Sequence, residues 1–189
     1  MIQYILMALF CLGVVGIDQL TKFWTVSHIA SSTCLDASLC AEHISRMQSC
    51  FHLSDQALAD LPRKIDGIKG LFHLTHIHNT GAAFSSFEGQ HWLFMLVLLV
   101  FIGFIIWEFP KKRMAFTTFE RWMIVSVFAG GVGNMIDRLR LGYVVDMIEV
   151  EFMRFAVFNV ADIFISCGCV LLLVHLILFN KDFWKEEKK

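Results

Sequence analysis

Residues 158–179 read FNVADIFISCGCVLLLVHLILF, and Asp162 stands at the mouth of that apolar run. A helix of roughly 20 apolar residues crosses the ~30 Å hydrocarbon layer of a bilayer, so the stretch is expected to span a membrane. Sixteen positions before Asp162, the segment YVVDMIEV sets Asp146 in a second hydrophobic context. A carboxylate beside hydrocarbon is energetically expensive and marks function more often than it decorates a surface.

Three more stretches have the length and apolarity to cross: 3–24 (QYILMALFCLGVVGIDQLTKFW), 91–109 (HWLFMLVLLVFIGFIIWEF) and 119–137 (FERWMIVSVFAGGVGNMID). The whole chain agrees with them. Of its 189 residues, 57% are hydrophobic and 17% charged, against about a quarter charged in soluble domains; mean hydropathy is +0.62. A net charge of -1, with no basic stripe interleaved with aromatics, speaks against nucleic acid as a partner. Two prolines and no low-complexity segment leave one integral-membrane domain over 1–189 as the economical reading. The first stretch could instead be a cleaved signal peptide, but no Lys or Arg precedes its core and no A-x-A site follows.

The short connections set an orientation. PKKRMAFTT carries Lys111, Lys112 and Arg113, and the tail NKDFWKEEKK carries four lysines. The positive-inside rule places both in the cytoplasm. Four spans then put both termini inside and segments 25–90 and 138–159 outside. Cys34, Cys40 and Cys50 lie in the outer segment, where an oxidising compartment permits one disulfide. Cys167 and Cys169 are expected as small apolar packing residues. LSDQALADLP (53–62) reads as a short amphipathic helix, and GLFHLTHIHNTG (70–81) alternates as a strand. His76 and His78 share one face of that strand; lacking acidic or cysteine ligands at a familiar spacing, they are expected as solvated histidines and not a metal site.

On this topology the unusual polar residues gather at one depth. Asp18 and Lys22 lie i,i+4 near the outer end of span one. Asn79 and Thr80 precede span two. Asn134, Asp137 and Arg138 close span three on one face. Asp146 follows in the outer connection, and Asn159 and Asp162 open span four. Each has a bland explanation. Asp18 and Lys22 could be a structural ion pair, AGGVG a packing seam, Arg138 a snorkelling cation, and Asn159 a helix cap with Asp162 in the first turn. Convergence of all of them at the outer boundary is harder to dismiss. No G-x-S-x-G or H-E-x-x-H motif is present, which leaves the carboxylates. Two in proximity do not both ionise cheaply, so one can hold a proton while the other acts as a base. Such a pair can activate water against an amide. A proton-coupled transporter using the same carboxylates is the main rival, and a structural membrane subunit the second.

DQLTKFW (18–24), HNTGAAFS (78–85), GGVGNMIDRL (130–139), GYVVDMI (142–148) and FNVADIFI (158–165) resemble, in order and topology, the lipoprotein signal peptidase (signal peptidase II) family. The resemblance covers roughly 1–24 and 71–179. It implies an all-α membrane protein of four transmembrane helices with a small outer β-cradle. The implied activity is that of an aspartyl endopeptidase of the bacterial inner membrane, working at the outer face without a metal or other cofactor. It would cut prolipoproteins immediately before a cysteine bearing diacylglycerol, with membrane lipid as surroundings and globomycin as inhibitor. The resemblance makes Asp146 and Asp162 the catalytic pair. It assigns Asn134, Asp137, Arg138 and Asn159 to their surroundings, and Asp18, Lys22, Asn79 and Gly81 to support or substrate contact. Residues of about 27–68 exceed the family pattern and are expected as an outer insertion over the rim of the site.

Overall fold

The computed structural model describes residues 2–31, 62–81, 91–108 and 114–180. Four helices stand close to the expected positions: α1 (Ile2–His28), α2 (His91–Glu108), α3 (Thr118–Leu141) and α4 (Val160–Leu178). Two of them, α1 and α4, are long and apolar enough to cross a membrane, and α2 contains a shorter apolar run, Met95–Glu108. Helix α3 is less apolar because Glu120, Arg121, Asp137, Arg138 and Arg140 lie within it. It is nevertheless the central element, packed against the other three. The span read as ending at 137 continues to Leu141. There Gly142, at φ 82°, takes the left-handed turn that closes the helix, and its N–H donates to the Arg138 carbonyl.

Glycines on α3 allow α4 and α1 to approach. A Cβ at Gly130 would collide with the Ala161 carbonyl oxygen, and one at Gly133 would lie 2.6 Å from Asp18 Oδ2. The AGGVG segment is therefore a packing seam, and the seam sets the distance between the elements that carry the site. Gly130→Ala should push α4 off α3 and lower stability by about 1–3 kcal/mol. An unchanged thermal midpoint for this variant in detergent would contradict such close contact.

A three-stranded antiparallel sheet caps one end of the bundle, in the order β1 (Lys64–Ile68), β2 (Phe72–Asn79), β3 (Val144–Val150). The strand expected over 70–81 is β2. Its register sets Ile77 opposite Asp146 and Asn79 opposite Val144, after an irregularity between Leu74 and Ile77. Beneath the sheet, Val26, Leu141, Tyr143, Val145 and Met147 form one buried cluster. A second, of Met7, Ile124 and Val125, lies among the helices with Phe10, Trp122 and Leu172 against it. Outward-facing side chains such as Leu12, Leu20, Val100, Leu173 and Ile177 remain exposed, a surface suited to hydrocarbon.

Two expectations need correction. His76 and His78 are buried, not solvated. His76 Nδ1 donates to the Ile29 carbonyl at 2.9 Å, and burial pushes its pKa down to about 4, against that hydrogen bond. The ring of His78 stacks on Tyr143 at 4.1 Å. Strand alternation directs these side chains to the face that lies over α1, so the imidazoles fill the joint between sheet and helix. Cys167, expected as a packing residue, is exposed on α4, while Cys169 is half-buried.

The Ala30 N–H donates to the Pro62 carbonyl at 2.9 Å, so the ends of the insertion leave and rejoin the fold at one point. The expected helix at 53–62, the disulfide among Cys34, Cys40 and Cys50, and the basic residues 111–113 and beyond 180 fall outside the described residues, Pro62 excepted.

Candidate active site

The candidate residues come from five elements, and each is delivered by a local cause. Helix α4 starts with a reciprocal cap. Asn159 Oδ1 accepts the Asp162 N–H at 3.0 Å, and Asp162 Oδ2 accepts the Asn159 N–H at 3.1 Å. The bland reading of this pair is thus correct, yet incomplete. The amide end of Asn159 remains free to donate, and it does so to Asp146 Oδ1 at 2.7 Å and to Asn134 Oδ1 at 3.1 Å. One fully buried asparagine therefore ties the start of α4 to both aspartates and to α3.

Each carboxylate has a second holder. Asn134, on α3, donates to Asp162 Oδ1 at 2.8 Å. Asn79, at the end of β2, donates to Asp146 Oδ2 at 2.8 Å. The Asn79 side-chain oxygen in turn accepts the Gly81 N–H at 3.0 Å. Arg138 Nη2 donates to the Gly81 carbonyl at 2.9 Å, which fastens the segment after β2 to α3. Asp146 is buried and Asp162 only partly so. Burial first, and then the charge of Asp162, push the Asp146 carboxyl up to about 7, against the hydrogen bonds from Asn79 and Asn159 and the charge of Lys22.

Behind the pair lies a buried charge cluster. Lys22 Nζ is 2.9 Å from Asp18 Oδ2 and 3.0 Å from Asp137 Oδ2, and it donates to Asn134 Oδ1 at 2.9 Å. The i,i+4 ion pair expected in α1 is present, but its cation serves three partners. Asp18 Oδ1 accepts the Ala161 N–H at 2.9 Å, fixing the first turn of α4. Asp137 Oδ2 accepts the Val145 N–H at 3.1 Å, fixing β3 one residue before Asp146. All ten candidate residues thus belong to one connected network.

Sequence reasoning missed Gln19. Its Nε2 donates to Asp18 Oδ2 at 3.2 Å, to the Gly133 carbonyl at 3.1 Å and to Asp137 Oδ1 at 3.0 Å. The available signal was its place beside Asp18 on the face turned toward α3, but a lone glutamine near a helix end has no distinctive spacing. Also unforeseen was a second polar network at the other end of the bundle. Arg121 Nη2 lies 2.8 Å from Glu108 Oε1, and His175 Nδ1 lies 2.8 Å from Glu120 Oε1.

Helices with apolar outer faces, joined through buried aspartates and asparagines, have the pattern of a membrane protein with a polar site at one end of its bundle. Comparison with known proteins is consistent with that class. The family description for signal peptidase (SPase) II matches residues 10–178, and the chain belongs to the signal peptidase II family, which makes it a peptidase. A lipoprotein signal peptidase of Streptococcus pyogenes serotype M2 is 35% identical over 173 residues, covering 92% of this chain and 89% of that one. The enzyme of the same name from serotype M3 is 34% identical over the same length. Among solved structures, two of bacterial membrane enzymes share the fold. Both are 24% identical, with TM-scores of 0.66 and 0.63; the first covers 97% of this chain and 93% of that one, the second 93% and 94%.

Proposed function

We propose that this chain is an aspartyl endopeptidase of the bacterial inner membrane that removes the signal peptide from diacylglyceryl-modified prolipoproteins, cutting just before the lipidated cysteine. Asp146 and Asp162 are the catalytic pair. The observation that carries the reading is the placement of both carboxylates on a single buried residue, Asn159, with Asn79 and Asn134 holding their other oxygens. Both acids thereby belong to one hydrogen-bonded group at the end of the bundle.

The chemistry follows from their unequal surroundings. Asp146, deeper and with its pKa raised to about 7, keeps the proton; Asp162 accepts one from water. As hydroxide oxygen bonds to the scissile carbonyl carbon, Asp146 gives its proton to the carbonyl oxygen. Collapse of the tetrahedral intermediate then breaks the C–N bond: the departing nitrogen takes the proton held by Asp162, and a hydroxyl of the intermediate returns its proton to Asp146 as the new carboxyl group forms. The charge cluster of Asp18, Lys22 and Asp137 supports this step by fixing Asn134, the first turn of α4 and the start of β3. Substrate depth is set by lipid, since each buried CH₂ contributes about 0.8 kcal/mol to partitioning. The four helices cross the membrane with both termini in the cytoplasm and the site at the outer face.

A transporter would need polar groups along the whole membrane depth. Between the two polar networks lies the apolar cluster of Met7, Ile124 and Val125 with its aromatic neighbours, which favours the peptidase. The direct test is purified protein with a diacylated prolipoprotein, with and without globomycin. Release of the signal peptide, stopped by the inhibitor, is the expected result; no release from the intact, folded protein would refute the assignment.

Activity should also depend on pH in one direction. With its folded pKa raised, Asp146 holds its proton below about 7 and loses it above. The catalytic acid is then gone, so kcat/KM should decline on an alkaline limb with a midpoint near that value. The same shift stabilises the fold below the ordinary carboxylate range, and this contribution is lost as pH rises through about 7. A rate that stays level well above neutrality would show that the pair does not share a proton in this way.

A further inference from the structure

The end of the sheet away from the aspartates carries a surface that the reaction does not use. Between Ile148 and Phe158 the chain forms an arch. Its base is closed by the Ile148 N–H donating to the Phe158 carbonyl at 2.8 Å and the Phe158 N–H to the Ile148 carbonyl at 3.1 Å. The Glu151 N–H donates to the Leu71 carbonyl at 3.0 Å, and the Gly70 N–H to Glu151 Oε2 at 2.9 Å. The arch and the β1–β2 turn therefore form one edge. The arch stands off the sheet over an open concavity of about 760 Å³.

This edge presents five large apolar side chains to the outside. Ile68, Leu71, Phe152, Met153 and Phe155 are each 45–66% exposed. Lys69 and Arg154, also exposed, lie among them in sequence. The neighbouring acids are engaged with bases: Glu149 lies 3.0 Å from Lys64 and 2.7 Å from His73, and Glu151 lies 3.3 Å from His73 Nδ1. Among the described residues of this edge, Asp66 on β1 is the remaining exposed acid. Scattered exposed apolar residues are ordinary, but a contiguous group signals a partner. Phenylalanine, methionine and isoleucine flanked by cations match a layered partner, apolar below and phosphate-bearing above.

The position of the arch agrees. Phe158, at its base, is two residues ahead of Val160, where α4 begins, so the arch springs from the level at which α4 enters the bilayer. Phe152 is six residue steps from Phe158, a reach of at most roughly 20 Å, enough to lay the tip on the headgroup layer beside the bundle. We propose that the arch 149–157 and the turn 68–71 form an interfacial anchor that rests on the phospholipid surface. Phe152, Met153 and Phe155 enter the acyl boundary, and Lys69 and Arg154 meet phosphate. The proposal depends on the membrane reading of the helices and not on the cleavage reaction.

The test is depth-dependent fluorescence quenching of full-length Phe152→Trp and Met153→Trp, reconstituted in bilayers of phosphatidylethanolamine and phosphatidylglycerol. The signal is the difference from the parent protein, which has five tryptophans of its own. The added emission should be lost when lipid brominated near the headgroup end of its acyl chains is included, and retained against aqueous iodide. Lys69→Glu with Arg154→Glu in the same background should reduce the loss. The parent signal is the internal control, since Trp92 is exposed on the apolar helix α2. Lipid quenching of the parent, with iodide alone quenching positions 152 and 153, would overturn the anchor and leave the membrane reading and the peptidase assignment standing.

Discussion

Asp146→Asn and Asp162→Asn should each reduce cleavage of a diacylated prolipoprotein by at least ~10³-fold while the protein still inserts and folds, because each removes one half of the proposed acid–base pair, whose members would act as a unit. The substitutions keep shape and alter only protonation. At 146 the carboxylate accepts from Asn79 and Asn159 at 2.8 and 2.7 Å. An amide there turns a donor toward one of those donors, so one hydrogen bond is lost at a cost of about 1–3 kcal/mol. At 162 the same conflict arises with Asn134 or with the backbone N–H of Asn159. These losses are small beside a catalytic defect of this size, and they can be measured separately by thermal unfolding. Substantial turnover by either variant would remove the dyad from the mechanism. If instead both unfolded, activity could be compared with Asn79→Ala, which frees one Asp146 oxygen without touching either carboxyl group; retention of measurable, slowed cleavage by that variant is expected.

The largest effect on the fold should come from Lys22→Met. The ammonium is almost wholly buried and lies within 3.0 Å of two carboxylates and an amide oxygen. Methionine fills similar volume but leaves Asp18 and Asp137 facing each other without a cation. Breaking a buried ion pair from one side costs about 3–5 kcal/mol. Gln19 offsets only part of this, since its amide already donates to both acids. The loss should spread to the site, because Asp18 positions the Ala161 N–H and Asp137 the Val145 N–H. Adding Asp18→Asn to Lys22→Met should recover part of the thermal midpoint by removing one uncompensated charge. A shift of less than ~1 kcal/mol for Lys22→Met, the range of an exposed pair, would mean that water reaches this cluster freely.

How much of this was legible beforehand varies with the kind of interaction. The positions of the four helices were, because a long apolar run favours a conformation that satisfies its backbone groups within the segment, although only α1 and α4 have the length and apolarity of a membrane span. Nine of the ten candidate residues were as well, as charged or amide side chains in or beside those runs, whereas Gly81 entered only through the family resemblance. The two outer strands were not. KIDGI leaves only one of its residues even half-buried, and VVDMIEV was read as a loop carrying Asp146. Both form through pairing with β2, a contact between distant parts of the chain. The histidines failed for the same reason: alternation placed His76 and His78 on one face, but not which face meets α1.

The order of polar residues along the chain by itself determined which side chains gather at one end of the bundle, through helix length and the 3.6-residue repeat. It could not determine their pairing. That Asn159 both caps α4 and grips Asp146, that Lys22 serves two acids and Asn134, and that Gly130 and Gly133 draw the helices close enough for this, depend on distances of about 3 Å between segments more than a hundred residues apart in some cases. Burial and hydrogen bonding act through space, and only the packed fold sets those separations.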